Sequence, residues 1–205
     1  MADLFSYVVK TDAGFAPNPD GGFLSLACCK PKIRKYARVG DWVMGTHRTA
    51  IDPAAVCWIG EVAAAVDFGT YGSDPRFLGK HPTEENNGDS IYYRDERRRL
   101  KWRPNRHHPI ECMTHDTSVD RVLLFNRFWY FGPEIRPLPP ELVAKVVKRG
   151  PSHRRIRGED VSRVVEWASS RPEGRRLEQT VDRPGCIPHR KRDPKRLCRG
   201  DCFKA

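Results

Sequence analysis

The stretch ACCKPKIRKYARVGDWVMG, residues 27–45, decides how the chain is read. Two cysteines run into Lys30, Lys32, Arg34, Lys35 and Arg38, and then into Gly40-Asp41 and an apolar segment. The Gly-Asp pair is a turn signal. Trp42, Val43 and Met44 behind it suit a buried strand. Within KIRKYARV, residues 32–39, Ile33, Tyr36, Ala37 and Val39 are spaced for a short helix. The order is therefore helix, turn, strand, with positive charge massed just before the core.

Working outward, LFSYVVK at 4–10 reads as a first strand, rich in aromatic and β-branched residues. TDAGFAPNPDGG at 11–22 follows as a structured loop; its prolines remove donors and cannot sit in a central strand. FLSLACCK at 23–30 suits a strand or a short helix. AAVCWIGEVAAAVDF at 54–68 is a long strand or a strand pair, adjacent to WVMG through the loop HRTAIDPAA. Glycines inside these strands mark a bulge or the close approach of a ligand. From Tyr71 to Met113 the chain is polar with scattered aromatics, and no element is assigned there. DRVLLFNRFWYFG at 120–132 is a strong strand. PLPPELVAKVVKRG at 137–150 reads as a proline-led helix with an apolar face of Leu142, Val143, Val146 and Val147, ending at Gly150. DVSRVVEWASS at 160–170 is a second helix with Asp160 as N-cap. These signals predict an α+β domain or a partly open β-barrel over residues 1–170, with short peripheral helices, and a basic Cys/His-containing tail over 171–205. No GxGxxG or GxxxxGK[ST] is present, which counts against an ordinary kinase, ATPase or dehydrogenase.

Lys and Arg number 37 against 26 Asp and Glu, a net charge of +11, so polyanions are the expected partners, DNA or a nucleotide first. No apolar run approaches the ~18 residues of a membrane span, so no membrane partner is expected. The start has no basic segment before its apolar stretch, so a secretory signal is not expected and the cytoplasm is. In that reducing compartment seven cysteines read as thiols or metal ligands before disulfides.

Several residues carry candidate chemistry. Lys30, Lys32 and Arg34 are phosphate ligands or a solvated helix face. Trp42 is a stacking wall for a base or a core residue, and Trp58 shares the ambiguity. Asp12 and Asn18 in the Gly/Pro loop either read the edges of a base or cap turns. Cys28 beside positive charge is a depressed-pKa nucleophile or an inert buried thiol. Arg127, Trp129 and Tyr130 in FNRFWYFG alternate between core and a ligand-facing surface. His153 and Arg154 sit in a basic loop, PSHRR, that closes over a phosphate or is solvated. In the tail, Cys186, His189, Cys198 and Cys202 follow C-x2-H-x8-C-x3-C, four soft ligands able to form a closed Zn site; the rival is a basic tail with incidental thiols.

The opening LFSYVVKTDAGFAPNPDGGFLSLACCKPKIRKYARVGDWVMGT resembles the nucleotide modification associated domain 2 family. GEVAAAVDF, DPRF, GDSIYYRD, HDTSVDRVLLFNRFWYFG and the SHR near 153 extend the resemblance to roughly residues 3–170. The resemblance implies a setting among enzymes of DNA base modification in bacteria and phages, with those enzymes as partners. It also places shared positions on Asp12, Gly14, Pro17, Asn18, Cys28, Lys30, Arg34, Gly40, Asp41, Trp42, Asp89, Tyr92, Arg127, Trp129, Tyr130, His153 and Arg154. A looser similarity, through the Gly-Asp turn and the WIGEV strand, is to PUA-like barrels of the EVE, YTH and ASCH groups, which hold modified bases in aromatic pockets. Two functions follow as expectations. One is binding of a modified nucleotide or base, with Asn18, Tyr92 and the aromatics on the base and the cations on phosphate. The other is an enzyme of base hypermodification, with Asp12 as base, Cys28 as nucleophile and His153 as acid.

Overall fold

The computed structural model describes residues 1–47, 54–105, 108–132, 134 and 136–170. In chain order these form β1 (Leu4–Val8), β2 (Leu24–Leu26), α1 (Pro31–Tyr36), β3 (Trp42–Thr46), β4 (Val56–Val66), α2 (Phe68–Ser73), β5 (Tyr92–Arg94), β6 (Leu100–Trp102), α3 (Met113–Asp116), β7 (Val122–Tyr130), α4 (Pro140–Val146), β8 (His153–Ile156) and α5 (Glu159–Ser169). Short 3-10 turns occupy Pro75–Lys80 and Ile110–Cys112. Six strands form one sheet in the order β2-β7-β4-β3-β1-β8, and β5 pairs with β6 in a separate two-stranded sheet. In the large sheet only β1 and β3 run parallel. A parallel pair needs a crossover, and the Gly/Pro loop, β2 and α1 provide it. The result is a mixed α+β fold. Among the described residues the row stays open, with β2 and β8 at its edges.

Both faces of the sheet are covered, so its strands lose the simple apolar-polar alternation. On one face Leu4, Trp42, Met44, Ile59 and Trp129 pack under Leu142 and Val146 of α4 and Val161, Val164 and Ala168 of α5. On the other, Phe5, Tyr7, Val43, Trp58, Phe125 and Tyr130 pack with Leu24, Leu26 and the α1 residue Ile33. A third cluster joins Phe15, Ala27 and Cys28 to Phe68, Tyr71, Phe77 and Tyr92 beneath the α2 and β5 region. The alternation of β1 makes the division visible: Leu4 faces α4 and α5, while Phe5 and Tyr7 face the opposite side.

The in-strand glycine of β3 has a local cause. A Cβ on Gly45 would lie 2.4 Å from Trp58 Nε1. Its absence lets the indole lie across β3 and donate to the Tyr7 hydroxyl at 3.1 Å. The register of β3 against β4 also shifts between Gly45 and Thr46. The close approach expected of a ligand is thus made by the protein's own Trp58, which is fully buried.

Other expectations change too. The polar stretch from Tyr71 to Met113 holds the second half of α2, the 3-10 turns and the β5–β6 hairpin, and α3 begins at its end. Residues 54–68 hold the long strand of the two alternatives, Val56–Val66, and not a pair. The helix predicted to end at Gly150 ends at Val146, its C-cap Val147 already extended. The next helix is capped by Gly158 in place of Asp160, and Glu159 and Asp160 fall in its first turn, where acidic groups favour the helix dipole. PSHRR is no loop: His153–Ile156 is an edge strand paired antiparallel to β1. Cys28, Cys29 and Cys57 are reduced thiols, but Cys112 is disulfide-bonded, against the expectation for the cysteines. No helix among the described residues is long and apolar enough to cross a membrane.

Candidate functional site

The charge that precedes β3 is partly turned inward. Arg34, on α1, is fully buried. Its Nε donates to Cys29 O at 2.9 Å, its Nη1 to Val119 O at 2.8 Å, and its Nη2 to Asp116 O. Burial lowers its pKa, opposed by Asp116. Asp116, at the end of α3, is also buried and accepts the Cys29 N–H at 2.9 Å through Oδ1. Its Oδ2 accepts from Tyr92 OH at 3.1 Å and is hydrogen-bonded to His108 Nε2. Burial alone would raise the Asp116 pKa, but His108 and Arg34 hold it below the usual carboxylate range. Together Arg34 and Asp116 clamp a backbone kink in which Cys29 has φ 60° and Lys30 φ 43°. Two consecutive left-handed residues without a glycine cost of order 1–3 kcal/mol each and persist only when their surroundings over-determine them.

The kink delivers Lys30 to the face of the sheet opposite α4 and α5. Lys30 Nζ lies 4.8 Å from the centroid of Tyr7. Beside it the Gly/Pro loop descends onto the sheet, and Tyr130 of β7 donates its hydroxyl to Asp12 Oδ1. His153 of β8 is half-buried next to Phe5, with ring centroids 5.7 Å apart. Burial first, then the charges of Lys32, Lys30 and Arg155, hold its pKa below the ordinary histidine value. Asp12, Lys30, Lys32, Tyr130 and His153 therefore lie near one another around the buried Tyr7, which the sequence did not single out.

The remaining candidates are elsewhere. Trp42 and Trp129 stack at 6.2 Å within the core under α4 and α5. Arg127 lies over both rings and donates to Ser169 of α5 at 3.0 Å. Arg154 donates to Ala144 O on α4 at 2.8 Å. These four belong to the helix-covered side of the sheet. Asn18 is fully buried: its Nδ2 donates to Gly14 O and Asn87 O, and its Oδ1 accepts from Lys80 Nζ and the Asp20 N–H. Its amide is spent organising the loop. Tyr92 is spent on Asp116. Of the two readings of Cys28, the structure supports the inert buried thiol and not the activated nucleophile. Cys28 is fully buried, and burial followed by Asp116 and Asp89 pushes its thiol up, the opposite of the activation its basic neighbours suggested. Cys186, His189, Cys198 and Cys202 lie outside the described residues.

Sequence reasoning missed two buried groups, Lys80 and His108, and reached a third, Asp89, only through the family resemblance. Lys80 donates to Asn18 O, Asn18 Oδ1 and Phe23 O at 2.7–3.0 Å. Asp89 accepts from Ser25, Tyr71 and the Ala27 N–H. His108 came from a polar run without periodicity, and only its partner reveals it. Asp116 was visible beside His115, but adjacency in sequence does not say which of two neighbours turns inward. A surface hollow of about 510 Å³ lined by Asp67, Thr70, Arg94, Asp95, Arg98 and Asp120 holds none of the predicted residues. Charges there answer one another, as in the 2.6 Å pair of Arg94 and Asp120.

Among known proteins, the family described as nucleotide modification associated domain 2 matches over residues 1–184, the whole described fold and the start of the tail. That match ties the chain to a nucleotide-related role. No curated protein matches it. The crystal structure of ASCH from Zymomonas mobilis is similar at 12% identity, over 80% of this chain and 94% of that one, with a TM-score of 0.36. A likeness of that size carries no argument about function.

Proposed function

Because the chain belongs to the nucleotide modification associated domain 2 family, we propose that the sheet face bearing Asp12, Lys30, Tyr130 and His153 binds a modified nucleotide, or a modified base within nucleic acid. The observation that carries this reading is the Tyr130 hydroxyl donating to Asp12, which seats the Gly/Pro loop on the sheet beside Lys30. Asp12 then offers a carboxylate acceptor for a base N–H. The buried rings of Tyr7 and Tyr130 form the base of the site, and Lys30 and Lys32 provide the cations for phosphate. On this reading the open row of strands is a PUA-like, partly open barrel, and the chain works beside enzymes that modify DNA bases. A catalytic reading uses the same residues, with Asp12 as base and His153 as acid, but the burial of Cys28 gives a thiol nucleophile at that position no support.

The test is a titration of the full chain with short single-stranded DNA, modified or unmodified, and with free nucleotides, at two salt concentrations. Lys30→Ala and Asp12→Asn are each expected to weaken binding at least about tenfold, or ~1.4 kcal/mol. Arg127→Ala, across the sheet, should leave it unchanged. Equal affinity of the wild type and both site variants, or a loss confined to Arg127→Ala, would overturn the assignment. A mass change in the nucleotide that Asp12→Asn abolishes would replace binding with turnover.

A further inference from the structure

We propose that Cys29, His108 and Asp116 form a binding site for a zinc-like divalent cation, built into the folded domain and separate from the cysteines of the tail. One ligand atom from each residue, Sγ, a ring nitrogen and a carboxylate oxygen, lies within 4.8 Å of the other two. Around a tetrahedral zinc, with bonds of about 2.0–2.3 Å, ligand atoms stand roughly 3.3–3.8 Å apart, so on an ion the hydrogen-bonded His108 and Asp116 move apart while the widest separation closes by at most about an ångström. They come from three separate segments: the kink before α1, the loop after β6, and the end of α3.

Two of the three ligands are already oriented. Asp116 is fixed by the Cys29 N–H on one oxygen and by Tyr92 on the other. His108 is only 7% exposed and lies against the Phe15 ring at a centroid distance of 5.5 Å. Such supporting contacts hold metal ligands in place before the ion arrives. Two anionic ligands and a neutral imidazole balance a 2+ charge. The nearby Arg34 points its donors at carbonyl oxygens and not at the ligand atoms. A sulfur, nitrogen and oxygen set suits zinc and its neighbours in the first transition row, not magnesium or calcium. Three protein ligands leave a fourth position open, as in sites where the ion holds a water or a substrate. Cys29 also lies within electrostatic reach of Tyr7, the floor of the proposed nucleotide site. The cation site stands whether or not nucleotide binding does.

The experiment uses the full chain, stripped with chelator and dialysed against Zn²⁺ or Co²⁺ alone, with metal counted by elemental mass spectrometry. Wild type is expected to retain at least about one equivalent, and the Co²⁺ form to show the thiolate-to-cobalt charge-transfer band of a Cys-ligated tetrahedral site. Cys29→Ser should lose that band and one equivalent, while Cys198→Ser combined with Cys202→Ser keeps both. His108→Gln, compared by urea midpoint with metal-free wild type, guards against a folding defect and should lose the metal as well. No retained ion in the wild type, a band that survives Cys29→Ser, or a band lost only in the tail variant would overturn the site.

Discussion

Arg34 shows how much one side chain is asked to hold. Its guanidinium fixes Cys29, Val119, Arg121 and Asp116 through their carbonyl oxygens. Lys brings a point charge on a flexible stem and cannot reach divergent acceptors together. Arg34→Lys should therefore cost about 1.5–3 kcal/mol, the value of a hydrogen bond to a charged group. Arg34→Met should cost about 3–5 kcal/mol, because Asp116 loses its neighbouring cation in a buried setting. Urea unfolding with unchanged m-values checks both, and equal stability of the Lys variant would refute the clamp. At this scale the sequence was legible in type and illegible in direction. Lys30 and Arg34 sit four apart in one basic run, yet one reaches the Tyr7 ring and the other is enclosed. Helical spacing does distinguish faces, but the apolar residues of this short run were too few to say which face was inward.

The helices α4 and α5 act as a lid over Trp42 and Trp129, closing the side of the sheet opposite the proposed site. Leu142 of α4 is 2% exposed within that layer. Leu142→Ala should lower the unfolding free energy by about 2–5 kcal/mol, the cost of lost burial plus a cavity. Nucleotide affinity, measured under conditions where the variant stays folded, should not change. A selective loss of affinity would mean that the two faces are coupled. Elements with a strong apolar period were readable: β1, β3, β4, β7 and both late helices fall close to where the pattern put them. Elements held by backbone pairing were not. β8 is only four residues long, and its two arginines are exposed. Nothing in HRRI announces a strand until β1 is there to pair with it. The β5–β6 hairpin and α2 were hidden for a similar reason, since their apolar residues meet in a separate cluster without spacing regularly along the chain.

For the molecule as a whole, pH reaches stability through a lysine that the charge count could not distinguish from the others. Burial lowers the Lys80 pKa to about 8, against the opposing pull of Asp89 and Asp20. An unfolded lysine titrates near 10.4. Between those values the unfolded chain keeps a proton that the folded chain has released, so this group makes stability rise with pH from about 8 to about 10. Cys28 and the buried tyrosines act in the other direction, their folded pKa values being raised. The measurement is therefore a difference. The stability of wild type minus that of Lys80→Met should grow across this window, and a flat or falling difference would refute the assignment. The net charge of +11 points to polyanions as a class, but not to which cations face outward. The order of the sheet carries a last consequence. β1 is made first, and its outer neighbour β8 is the last strand to be made among the described residues. A ribosome adding residues one at a time has thus already incorporated Asp12, Lys30 and Tyr130 before it adds His153, so a chain cut short before residue 153 lacks both the histidine and the strand that flanks β1.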